Sequence, residues 1–129
     1  MINQLSQWVA SFPGFAGREF TVDALKSGES AAAVFCEGQQ VLSRQEDILG
    51  AAVSRRRLTL TVRLRSREQS QMSQTLLDFV RWAEQTAPVL GQQQTVKAEQ
   101  GRLRHAHGTG ITTYEIRVIL EFSTRENNI

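Results

Sequence analysis

Leu58, Leu60, Val62 and Leu64 alternate without a break against Thr59, Thr61, Arg63 and Arg65, and no other pattern constrains the chain as much. Successive strand side chains point to opposite faces. A strict period of two therefore sets four aliphatics on one side of a sheet and a Thr/Arg row on the other. Residues 58–67 are a predicted strand with one core face, and such a face needs a cover. Residues 68–87 have the spacing to provide it: Met72, Leu76, Phe79, Val80, Ala83 and Ala87 form a helical stripe about 120° wide, with Gln71, Gln74, Asp78, Arg81 and Gln85 on the back. The pattern predicts an α+β fold in which this main helix packs across one face of a sheet.

The flanking sequence adds a short helix and more strands. Ile2, Leu5, Trp8, Val9 and Phe12 recur at helical spacing, and Pro13-Gly14 ends the run because proline cannot donate the next backbone bond. Residues 15–18 read as a glycine-containing connector. Phe20, Val22 and Ala24 alternate with Thr21 and Asp23, Ser27-Gly28 reads as a turn, and the apolar run 31–36 fits a returning strand covered on both faces. From 37 to 54 the periodicity lapses. The stretch reads as a long, partly extended excursion, or alternatively as a short extra strand; its stray aliphatics Val41, Leu42, Ile48 and Leu49 suit contact with a partner.

Beyond the central strand, Ser66 and Gln69 have capping-box spacing, Pro88 stops the main helix, and 91–94 is a polar exit. Residues 95–98 alternate, and Leu103 and His105 resume with the opposite parity, which predicts a bulge at Gly101. The last strand, 112–122, turns Tyr114, Ile116, Val118, Leu120 and Phe122 to one face and Glu115, Arg117 and Glu121 to the other. Glu115 and Glu121 are thus candidates for cross-strand pairs with the central arginines. Residues 124–129 read as a polar, frayed tail. Strands joined by turns with one main helix and a short N-terminal helix make a mostly antiparallel α+β domain, single over 1–129 by size.

Charge narrows the function classes. The formal net charge is only +2, yet Arg55, Arg56, Arg57, Arg63, Arg65 and Arg67 fall in a stretch free of acids, with Arg102 and Arg104 as a smaller group. The cluster reads either as a solvated sheet face or as an interaction surface. Three adjacent cations at 55–57 cannot all face a core, so they are expected to serve contacts more than stability. Cys36 is the single cysteine, in an apolar run, and reads as a buried thiol rather than a nucleophile. No signal peptide or membrane-span pattern is present, so a cytosolic protein is expected.

No pattern of catalytic or cofactor chemistry emerges. His105 and His107 could share one ion if on one strand face, but no third ligand is evident, and a pair without metal is the reading. Gly108-Thr109-Gly110 has neither the lysine nor the following helix of a phosphate loop. The serines lack a nucleophile-elbow sequence, and neither histidine adjoins a recognisable acid partner. Trp82 lies well off the centre of the helix stripe. It packs under the N-terminal helix or anchors a neighbouring subunit.

Several stretches in this order resemble the small minor-capsid and tail-completion proteins of tailed bacteriophages and prophages, the group that includes tail terminators. They are Ser27-Gly28-Glu29 at the first turn, the 38–50 excursion, the Arg-flanked strand 57–65, Leu77-Asp78-Phe79-Val80-Arg81-Trp82, and the closing Gly110-Ile111-Thr112-Thr113-Tyr114-Glu115-Ile116. The resemblance spans nearly the whole chain. It departs in the central strand, built here from Leu and Val rather than aromatics. It implies a non-enzymatic, cofactor-free part of a phage particle, assembled in the host cytoplasm and residing in the virion at the head–tail junction. Such a subunit forms a ring, often hexameric, that touches the tail tube and head-completion proteins, with DNA passing through its lumen. Ring closure through one repeated contact needs two different complementary patches on each subunit. The long excursion is one candidate, and the Trp82 flank or the basic face formed by Arg55, Arg56, Arg57, Arg63, Arg65, Arg102 and Arg104 is another. The alternative is a small binding module for nucleic acid or an acidic partner that uses the arginine cluster; a small enzyme or ligand-binding domain finds little support.

Overall fold

The computed structural model describes residues 2–16, 18–25, 31–67, 69–105 and 110–126. Its architecture is α+β. In chain order the elements are α1 (Ile2–Ala10), a 3-10 turn (Pro13–Phe15), β1 (Phe20–Val22), β2 (Ala32–Glu46), β3 (Ala52–Ser66), α2 (Gln69–Thr86), β4 (Gln92–His105) and β5 (Thr112–Glu126). The five strands form one sheet in the order β1-β2-β3-β5-β4, antiparallel throughout except that β1 runs parallel to β2.

The central strand behaves as its alternation predicts. Leu58, Leu60, Val62 and Leu64 are buried, and the ladder sets Leu60 opposite Val118 and Val62 opposite Ile116 on β5. These residues share one buried cluster with Met72, Leu76, Phe79 and Ala83 of α2 and with Leu5, Trp8 and Val9 of α1. Phe79 is fully buried, with Phe12 edge-on at 5.2 Å and Phe15 stacked at 5.5 Å. Phe15, read from sequence as connector, is therefore a core residue. Edge-to-face and offset-stacked rings of this kind add about 0.5–1.5 kcal/mol per pair beyond burial.

Three readings of the sequence need correction. The segment 37–54 is not an excursion: Gln39–Glu46 pairs with Ala52–Leu58, so β2 and β3 form one long hairpin that closes over residues 47–51. Two extra residues in β2, between Cys36 and Gly38 and between Val41 and Ser43, reverse the side-chain parity twice and erase the period-two signal. Second, strand 31–36 does not return antiparallel to 20–22. Phe20, Thr21 and Val22 pair in parallel with Ala32, Ala33 and Val34; the turn residues 27–29 lie outside the described residues. Third, the last strand continues past Phe122 to Glu126, with Thr124 and Arg125 opposite Ser54 and Val53, so 124–126 is strand and not frayed tail; residues 127–129 lie outside the described residues. The bulge predicted at Gly101 is present, as β4 gains one residue on β5 between Gln100 and Leu103.

Candidate functional site

The ladder sorts the arginine cluster by face. Arg55, Arg57, Arg63 and Arg65 alternate with the buried leucines and lie on the polar face of the sheet, whereas Arg56 falls on the apolar face, opposite Val41 and Phe122 and half-buried. On the polar face Arg63 stands directly opposite Glu115, with Nε 3.3 Å from Oε2, and Arg57 opposite Glu121, with Nη2 3.6 Å from Oε1. These are the two cross-strand pairs expected from the sequence. Partly exposed pairs contribute about 0.2–1 kcal/mol each. They matter here because they cancel part of the positive charge that a polyanion would meet.

Two further contacts tie arginines to the sheet. Arg63 also lies over the ring of Phe35, 4.7 Å from its centroid. Arg55 Nη1 donates to the Gln93 carbonyl at 2.8 Å and to Ser123 Oγ at 3.2 Å, clasping the start of β4 to β3 and β5. Arg65 and Arg117 make no ion pair among the described residues. The side chains of Arg102 and Arg104 lie outside the described ones; their backbone is part of β4, immediately after Gly101.

Trp82 takes the first of its two expected positions. Its ring stacks on Trp8 at 5.5 Å and 13°, with Phe12 at 5.2 Å, while Trp8 Nε1 donates to Thr86 Oγ1 at 3.1 Å. The two tryptophans thus fasten α1 to α2. Cys36 is half-buried at the margin of the core rather than fully enclosed. His107 and the 108–109 segment lie outside the described residues. Among the described residues no three His, Cys, Asp or Glu side chains converge on a common point. No helix among them is long and apolar enough to cross a membrane.

A recess of about 490 Å³ lies on the polar face where β2 bulges, and Glu37, Gly38, Gln40, Arg57, Thr59 and Arg117 line it. Gly38 sits at φ +136°, a conformation open to glycine, and a Cβ there would meet nothing, so the indentation is backbone-made. Glu37 accepts a hydrogen bond from Thr61 Oγ1 at 2.6 Å. One carboxylate, the Thr59 hydroxyl and two guanidinium groups make a polar surface without a nucleophile and base in contact.

The distal half of the β2–β3 hairpin is the feature that sequence reasoning left unresolved. β1 covers the outer edge of β2 only as far as Val34, and among the described residues no strand pairs with that edge from Phe35 to Glu46. Every residue from Glu37 to Glu46 is exposed. At the tip Asp47 Oδ1 accepts the N–H groups of Leu49 and Ala51, both at 2.9 Å, the Asp47 N–H donates to the Ala51 carbonyl at 2.8 Å, and Gly50 at φ +81° closes the turn. Arg125 Nη2 lies 2.9 Å from Asp47 Oδ2. The Ala51 N–H above all, then that of Leu49 and the Arg125 guanidinium, hold the Asp47 carboxyl below the usual aspartate range against an opposing desolvation. The turn holds Ile48 and Leu49 in solvent, 99% and 79% exposed. Asp47 and Gly50 flanking two aliphatics were a turn signal legible in the sequence.

Compared with known protein families, the chain matches no family model, and comparison with curated proteins finds no match.

Proposed function

We propose that this chain is a non-enzymatic structural protein of the head–tail junction of a tailed bacteriophage or prophage, a tail-terminator-like subunit that closes the head-proximal end of the tail tube as a ring of copies. In this reading α2 lies across the apolar face of the sheet as a rigid backing, which leaves the polar face, the sheet edges and the hairpin free for contacts. The observation that carries the proposal is the β2–β3 hairpin. Among the described residues it has a strand edge without a pairing strand from Phe35 to Glu46, and it carries an apolar tip, an arrangement costly for a lone protein and suited to one completed by neighbours.

Ring closure needs two unlike patches, and the hairpin with the arginine-bearing polar face supplies them. A contact too weak between free subunits becomes favourable when a tube end holds neighbours at high effective concentration, so the free protein need not be a ring. Assembly in the host cytoplasm and residence in the virion follow from this role. The test is immunogold labelling of an epitope-tagged copy in particles released by the parent prophage: label at the head–tail junction is expected, and label elsewhere or none on particles contradicts the proposal.

The second reading, a binding module for nucleic acid or an acidic partner, is favoured by Arg65 and Arg117, which have no carboxylate partner among the described residues, and weakened by the pairing of Arg57 and Arg63. Contact with several phosphates makes affinity fall steeply with salt. A DNA titration at two salt concentrations separates the readings.

A further inference from the structure

We infer that copies of this chain join by strand addition, the outer edge of β2 in one copy pairing with the outer edge of β4 in the next, so that one sheet runs on from subunit to subunit. The inference rests on the ring of copies proposed above, but not on its place in a virion. Among the described residues the sheet ends on two bare edges. β4 has β5 on one side and no strand on the other, and β2 has none on its outer side beyond Val34. Unpaired N–H and C=O groups in a row are a template for a further strand, and neither 35–46 nor 92–105 carries a proline that would blunt it.

The occupant of each edge is a second copy because the two edges match in direction, level and face. From β2 through β3 and β5 to β4 each strand is antiparallel to its neighbour, so a copy placed head to tail brings its β2 antiparallel to β4 with like faces on the same side. The ladder gives the level. Thr95 lies across from Glu121, Arg57 and Gln40 in turn, and Gln100 across from Ile116, Val62 and Val34. The stretch of β4 between its two bulges, 95–100, therefore stands at the height of 34–40 on β2, and it breaks at Gly101, where β1 takes up the β2 edge. On the apolar side Val41, 54% exposed at the β2 margin, falls diagonal to Val96 of the neighbour. On the polar side the exposed Lys97 is level with Gly38 and comes to Glu37, which narrows the polar-face patch of the ring contact to its β4 margin. Pairing of β2 with β2 about a two-fold axis would fill one edge and leave the 14 residues of β4 bare in every copy. The head-to-tail contact fills both edges with one repeated interface.

The test is disulfide trapping between two versions of the full chain in a Cys36→Ala background, one of them carrying an affinity tag. The tagged chain bears Gln40→Cys, and the other bears Thr95→Cys, at the same level, or Lys97→Cys, one pleat away. All three positions are exposed, and each variant is expected to keep the melting curve of its background. A Gln85→Cys chain, changed on the exposed side of α2, sets the yield of random collision. Under mild oxidation the mixed disulfide at one of the two β4 positions is expected to exceed that yield by about tenfold, since cysteines bridge only where their Cα atoms come within about 7 Å. Mixed product at the collision level for both positions overturns the contact. So does a Gln40→Cys chain that bridges mainly to itself, which would show two-fold pairing of β2. The immunogold label on particles reports separately. Mixed disulfide without label at the junction supports the strand contact and removes the tail cap, whereas label at the junction without mixed disulfide keeps the cap and overturns the contact.

Discussion

Asp47 and Arg125 lie 2.9 Å apart and join the tip of the β2–β3 hairpin to the far end of β5, so the projecting end of the molecule is three strands wide rather than two. A two-stranded ribbon is marginal in water, and a third strand with a tip-to-strand clasp gives it a defined shape.

That clasp titrates. The Asp47 carboxyl is held below its ordinary value, so its folded form binds protons less readily than the unfolded chain. Its contribution to the turn is complete above the ordinary aspartate value of about 3.9 and is lost as pH falls through the lowered folded value. Amide exchange at Leu49 and Ala51 is expected to accelerate across that acidic window relative to the β3 core, and the Asp47→Asn variant to lack this dependence. Exchange at these two amides that does not respond to acid would show that the turn stands without the carboxylate.

Phe79 is fully buried among Phe12, Phe15 and the leucines of β3. Phe79→Ala is expected to cost about 3–5 kcal/mol, the range for deleting a large aromatic from a packed core. A loss under about 1 kcal/mol in denaturant titration would place α2 differently with respect to the sheet.

Much of the fold was legible because its signals were periodic. The unbroken alternation at 58–65 set the faces of β3, the parity flip across Gly101 located a bulge, and the acids at 115 and 121 announced their partners before the register was known. The hairpin was not legible for the same reason in reverse. Two bulges within β2 reset the parity at Glu37 and Leu42, and no core lies behind that half of the strand to demand aliphatics, so neither period nor hydrophobicity marked it. The parallel pairing of β1 escaped because three residues carry little register information and a turn sequence does not fix strand direction. The arginines were found as a cluster, but their division between two faces depends on strand limits that the sequence left open.

That division separates their roles. Arg57→Gln removes a partly exposed pair and is expected to change stability by less than about 1 kcal/mol. Arg55→Ala removes two hydrogen bonds that clasp the start of β4 and is expected to cost about 1–3 kcal/mol. Replacing Arg55, Arg56 and Arg57 together with Gln is expected to weaken incorporation into tails by more than the stability loss accounts for. Denaturant titration and particle content measured on the same variants check this, and incorporation that simply tracks stability would assign the arginines to the fold alone.

The central claim is that this protein caps a growing phage tail and readies it to join the head. Deletion of its gene in the parent prophage, followed by induction and electron microscopy of the lysate, tests that claim most directly. Unjoined heads together with tails of irregular length are the expected result; normal, infectious particles assembled without the protein would contradict it.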